Sequence, residues 1–314
     1  MKNKLLFPII LGLLVGCGGT TSSQNQSIQS IEEIDPNAVD VVILAGQSNM
    51  EGNTKWSPLS TELKTYYKEG FGKSLISYEM TGYSNLHNNM EVDDEVVSCF
   101  DPVTLGQAYG RDRFGPEVGI AEKIEESNRE NPVYFIKFCS GGTSLFQDWR
   151  SPTSSSTPGR LWNRLINAVD RGLATLEDEG YNPVIKAFCW MQGESDSSYA
   201  SFYELYENNF INDFNDFYYD YISEKGLKFI DAGISDGRNP EDTAYVWDYY
   251  RINQAKVNNQ ARDSENRFYI DTIAEGLLTD PHNQRGGDLY HYDAESMVKL
   301  GHLFGDVLLN NNII

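Results

Sequence analysis

The sequence is short of basic residues: 25 Lys and Arg stand against 46 Asp and Glu in 314 residues, a formal net charge of -21. Phosphate backbones and anionic surfaces repel such a chain, so nucleic acid is a poor partner. Cysteine is scarce as well, with 4 in the chain. Setting aside Cys17, treated below, leaves Cys99, Cys139 and Cys189, an odd number without CxxC spacing. That pattern indicates neither a metal site nor a disulfide scaffold. Cys139 and Cys189 fall at the ends of expected strands, where burial rather than reactivity is the expectation; a single disulfide stays open, with no partners fixed. Long apolar runs are missing too, since the stretch from Leu5 to Val15 is too short to cross a bilayer. What is present is ordinary globular material, 40% hydrophobic and 12% aromatic, in a length that suits one large domain with short extensions.

The first residues read as a targeting segment rather than as part of the fold. Lys2 and Lys4 precede the apolar run, and Leu14-Val15-Gly16-Cys17 has the form of a bacterial lipobox, in which Cys17 becomes the lipidated first residue. The alternative is an ordinary signal peptide with an incidental cysteine. Residues 1–17 are therefore assigned to a lipoprotein signal and 18–37, small and polar, to a flexible tether. Residues 38–314 form the expected folded domain, exported and held at the cell envelope by the lipid. Gly18, rather than Asp, after Cys17 favours onward transport to an outer membrane.

Within that domain, short apolar runs alternate with helical periodicity. Buried strands are expected at Val41–Ala45, Val133–Phe138, Val184–Trp190, Leu227–Ala232 and Phe268–Ile270. Helices are expected at Glu117–Glu130, Leu161–Glu179, Phe202–Ile222, Trp247–Ala261 and Ala294–Leu309. Strands separated by helices imply an α/β fold with a parallel sheet covered on both faces. The stretch 52–115 interrupts the rhythm and is rich in Gly, Asn, Tyr and Asp. Leaving the carboxyl end of the first strand, where open α/β sheets bind ligands, it is expected to shape a cleft.

Four polar stretches follow strands or precede the last helix. Gly46-Gln47-Ser48-Asn49-Met50 directly follows the first strand, placing a Ser at a strand-to-helix turn beside helix-terminal N–H groups that can stabilise negative charge. Ser48 and Asn49 could instead simply cap the helix. Ser140-Gly141-Gly142-Thr143-Ser144-Leu145 follows the second strand, where glycines let backbone N–H groups approach a ligand. Trp190-Met191-Gln192-Gly193-Glu194-Ser195-Asp196 follows the third strand and brings an amide and carboxylates to the same edge. Asp288-Leu289-Tyr290-His291 stands just before the last helix.

Together with Phe114-Gly115-Pro116-Glu117, these ordered motifs resemble the SGNH hydrolase superfamily, in its branch of sialate O-acetylesterases and carbohydrate esterase family six. The resemblance runs from about residue 40 to 305. It implies a flavodoxin-like three-layer sandwich and a serine esterase acting on O-acetyl groups of a carbohydrate, with no metal or organic cofactor. It further implies Ser48 as nucleophile, His291 as general base and Asp288 as the acid that orients the imidazole. The backbone N–H groups of Ser48 and of Gly141 or Gly142, with the Gln192 amide, would form the oxyanion hole. Met191 stands where the family commonly has His, which bears on substrate preference. The chemistry agrees: a serine hydroxyl needs a base to take its proton, and a carboxylate three residues before the histidine can fix its tautomer.

With only 4 histidines, the base can be weighed. His87 lies in the insertion and His302 in the last helix, both positions for structural roles; His282, beside Asp280, is the rival to His291. Glu194 is an alternative or supporting acid, Asp196 and Asp293 suit loop and helix-cap bonds, and Trp190 suits packing or a sugar contact. Two other functions stay open. One is a different ester, such as a lipid, thioester or peptidoglycan acetyl group. The other is a carbohydrate-binding lipoprotein without chemistry, which would have no need of Ser48, Gln192, Asp288 and His291 together.

Overall fold

The computed structural model describes residues 35–80, 99–223, 225–236, 249–280 and 288–314. The signal segment with Cys17, nearly all of the tether, and His87 and His282 lie outside the described residues. Residues 36–314 form one compact unit.

The centre of that unit is β1 (Ala38–Gly46), whose Val41 to Ala45 are all fully buried. Such a run, apolar at every position, is what a strand covered on both faces requires. It pairs in parallel with β6 (Val133–Cys139) on one side and β7 (Asn182–Met191) on the other. Beyond β7 follow β8 (Lys228–Ala232) and β9 (Arg267–Ile270), again parallel. The order β6-β1-β7-β8-β9 is the doubly wound, flavodoxin-like arrangement, 2-1-3-4-5 when these strands alone are counted along the chain.

The helices between them are α3 (Glu117–Glu126), α4 (Arg160–Asp178), α5 (Ala200–Phe217), α6 (Tyr249–Arg262) and α7 (Ala294–Asn310). In α4 the residues Leu161, Leu165, Ala168, Val169, Leu173 and Leu176 recur at helical spacing and are all buried, the apolar stripe a sheet-covering helix needs. Asp293 caps α7, its carboxylate accepting the Ser296 N–H at 2.8 Å, as expected from sequence. In α5 the aromatic residues Tyr203, Phe210 and Phe214 are core, whereas Phe217 reaches the surface.

The stretch 52–115 carries more regular structure than its composition suggests. It contains β2 (Thr54–Lys55), α2 (Thr61–Glu69), β3 (Phe71–Met80), β4 (Asp101–Val103) and β5 (Arg113–Phe114). Strand β3 adds in parallel to β6, and β4 runs antiparallel at the edge, giving a sheet of seven strands. Among the described residues no helix is long and apolar enough to cross a membrane. Cys139 and Cys189 are buried and Cys99 is exposed, all three as free thiols.

Candidate active site

The carboxyl ends of β1, β6 and β7 converge because the three strands are adjacent and parallel, so each motif that follows a strand opens on the same edge. After β1 comes a single turn, α1 (Ser48–Glu51), closed by a bond from Gly52 N–H to Ser48 O at 3.0 Å. Gly46 makes this sharp exit possible. A Cβ there would stand 2.1 Å from Met191 O, and its φ of 147° is open to glycine. Ser48 is the first residue of the turn, so its N–H has no acceptor within the helix.

Ser48, Glu51, Gly141, Gly142, Glu194 and His291 border one cavity of about 440 Å³, with Gln47, Asn53, Tyr109, Ser195 and Tyr290 completing its wall. His291 Nδ1 lies 2.7 Å from Asp288 Oδ2. The other oxygen of Asp288 accepts the N–H groups of Tyr290 and His291 at 2.9 and 3.0 Å. Burial alone would raise the pKa of Asp288, but the His291 ring and these two N–H groups hold it below the usual aspartate value. The ring is thereby fixed with Nε2 facing the cavity. No hydrogen bond joins Ser48 Oγ to Nε2 among the described residues; the amide of Asn53 lies 3.4 Å from that nitrogen instead. Asn53 is held by the Arg113 guanidinium, which donates to its backbone and side-chain oxygens.

The glycine pair after β6 is split in its bonding. Gly141 is buried against the Glu51 carboxyl, whose charged form its N–H favours, whereas Gly142, exposed and with a φ of 70°, lines the cavity with its backbone. Gln192, expected to direct its amide into the oxyanion hole, stands behind it. It is fully buried, it is not part of the cavity wall, and its Nε2 donates to Asp196 and, at 3.0 Å, to Thr143 O. Tyr203 OH donates to its Oε1 at 3.1 Å. Asp196 in turn accepts the N–H groups of Leu145 and Phe146 at 2.8 and 3.0 Å. In this geometry Gln192 and Asp196 tie the β6 loop to the β7 loop, and the cavity amides are those of Gln47 and Asn53.

Glu194 reaches the cavity but not the imidazole: its Oε1 accepts from Asn49 Nδ2 at 2.8 Å, and desolvation raises its pKa. Asn49 is more than a cap. It also donates to Tyr290 O at 2.8 Å and accepts from Tyr292 N–H at 3.2 Å, so one amide joins three loops. Its spacing beside Ser48 was readable in the sequence, but its partners, more than 140 residues away, were not. Trp190 is fully buried, packs edge-on against Trp149 at 5.3 Å, and is not among the described residues of the cavity wall. His302 bonds to Glu122 at 2.7 Å and lies outside the cavity wall.

An α/β sandwich with a Ser and a His–Asp pair at the carboxyl edge of its central strands defines a class of hydrolases. The profile of the family described as carbohydrate esterase, sialic acid-specific acetylesterase, matches residues 38–310. The chain belongs to that family and is a hydrolase of carboxylic esters. No curated protein gives a significant sequence match. Among solved structures, a protein from Arabidopsis thaliana is similar with a TM-score of 0.60 and 18% identity, over 88% of this chain and 99% of that one. NanS is similar with a TM-score of 0.56 and 14% identity, over 88% and 98%. A carbohydrate acetylesterase from Xanthomonas citri is similar with a TM-score of 0.55 and 14% identity, over 86% and 55%. These likenesses establish the fold.

Proposed function

We propose that the chain is a serine-dependent acetylesterase that removes O-acetyl groups from a sugar or polysaccharide through an acyl-enzyme. The observation that carries this reading is that His291, whose Nδ1 lies 2.7 Å from Asp288, shares one cavity wall with Ser48. Ser48 Oγ attacks the ester carbonyl carbon while His291 Nε2 takes its proton, and Asp288 stabilises the imidazolium. The carbonyl π pair moves onto oxygen, where the N–H groups of Ser48 and Gly142 receive it. Collapse breaks the acyl–oxygen bond, and the sugar oxygen leaves with the proton from His291. Water, activated by the same nitrogen, then frees acetate from Ser48. The contact between Ser48 Oγ and Nε2 forms as substrate displaces the Asn53 amide, since catalytic hydrogen bonds often tighten only on binding.

The family supports an acetylated carbohydrate as substrate. A screen of acetate release over acetylated xylan, acetylated sialic acids and acetylated pectic or algal polysaccharides tests it. Release from one class at least tenfold above the others is expected, and release from none would contradict the reading. The same proposal places the enzyme outside the cytoplasm, lipid-anchored through Cys17 at the cell envelope, on the strength of Lys2, Lys4 and the Leu14–Cys17 motif.

A further inference from the structure

Glu51 ends the turn that Ser48 begins, one helical turn from the nucleophile. It is 1% exposed, yet its carboxyl borders the cavity. Its Oε2 packs against Gly141, where a built Cβ would stand 2.8 Å away, and the Gly141 N–H favours the charged carboxyl. The other, Oε1, is buried without a hydrogen-bond partner among the described residues. The ionisable groups around it are Lys137 and Cys139 of β6, His291, and Glu117 of α3 near Lys137. Lys137 does not leave Glu51 a free counter-charge. Its ammonium lies 2.6 Å from Glu117 Oε2, with both side chains fully buried. A second carboxylate beside that matched pair is a buried charge without a cation of its own.

We propose that Glu51 is a positioning residue that serves as an uncharged carboxylic acid, holding the Gly141–Gly142 backbone against the nucleophile's turn, and that its ionisation switches the site off. This rests on the acyl-transfer reading above. Attack by Ser48 puts negative charge on the former carbonyl oxygen beside these glycines. A carboxylate on the Gly141 N–H repels that charge and draws the loop's dipoles away from it, whereas a neutral acid does neither. Burial supports the neutral form, pushing the Glu51 pKa up to about 7, against the opposing pull of Lys137, the Gly141 N–H and His291. On ionisation the proton leaves to solvent through the cavity. The case resembles other sites that keep a carboxylic acid neutral at physiological pH so that it can act beside an oxyanion.

The test compares Glu51→Gln with the full wild-type chain, reading kcat/KM on p-nitrophenyl acetate from pH 5 to 9. Glutamine keeps the acceptor for Gly141 and cannot ionise. The ratio of variant to wild type is expected to be flat at low pH and to climb above pH 7, approaching tenfold per pH unit. A flat ratio throughout, in proteins both folded by thermal melt at each pH, overturns the proposal. A second measurement does not depend on turnover. The Glu51 carboxyl carbon, assigned by its loss in Glu51→Gln, is followed by NMR in glutamate-labelled protein. A midpoint near 7 is expected; ionisation complete by pH 5 overturns the proposal. Failure of acetate release, by contrast, ends the esterase reading, and the carboxyl titration still decides the state of Glu51.

Discussion

Among the described residues Asp288 accepts from the His291 ring at 2.7 Å and from the backbone N–H groups of Tyr290 and His291. The three-residue spacing is what makes this possible, because the loop folds back and presents ring and main chain to one carboxylate. Asp288→Asn should therefore lower kcat/KM by about 10⁴ while the protein stays folded, since the amide cannot hold the same tautomer. Glu194→Gln should cost far less, as Glu194 bonds to Asn49 and not to the ring. Esterase kinetics on both variants check this, and equal losses would contradict the division of roles.

Glu51 also leaves a mark on stability. Its pKa rises from the ordinary glutamate value of 4.5 to about 7 on folding, so between those values the native state holds more protons than the unfolded one. Stability then falls as pH rises through that window and levels off above it. Glu51→Gln removes the dependence. The variant should gain on wild type by about 3 kcal/mol between pH 4 and pH 8, from 1.36 kcal/mol per pKa unit. Urea unfolding at the two pH values measures it, and a difference of stability that does not change with pH would contradict the buried, neutral acid.

Among the described residues the cavity wall has no aliphatic side chain; those that line it are Ser, Asn, Gln, Glu, Gly, Tyr and His. A longer acyl chain gains about 0.8 kcal/mol for each CH₂ it buries against an apolar wall, and that gain is missing here. Acetyl esters should be cleaved faster than butyryl or octanoyl esters. Para-nitrophenyl esters of increasing chain length give the comparison by kcat/KM, and a rise with length would point to a lipase or thioesterase.

Replacing Cys17 by Ser should abolish incorporation of a palmitate analogue and release the protein from the membrane fraction. The basis is the basic start, the short apolar run and the motif ending at Cys17. Labelling of whole cells shows the outcome directly, and a wild-type chain that takes up no label would rule out the anchor.

The five strands read from apolar runs are the five of the doubly wound core, because strands covered on both faces are mainly apolar, even where Lys137 and Asp231 are buried among them. Strand β3 escaped the same reading. Its sequence mixes Lys73, Ser74, Ser77 and Glu79 with Phe71, Leu75 and Ile76, and Ser74 and Ser77 are buried without being apolar. That Ser48, Asp288 and His291 belong together was legible from the ordered motifs and the family they resemble, since placement after a strand left Ser48 open as a helix cap. The position of Gln192 was not, since its burial depends on Asp196 folding back beneath the β6 loop. Glu51 was invisible for a related reason. A charged residue in a short turn reads as solvent-facing until Gly141 is seen to close over it.

The most direct test of the account is the fate of Ser48. Wild-type protein should react with a fluorophosphonate probe, and labelled peptide should map to Ser48. Purified Ser48→Ala should melt like wild type, resist the probe and lose turnover by about 10⁶. A folded Ser48→Ala protein that still releases acetate within tenfold of the wild-type rate would contradict the account at its centre.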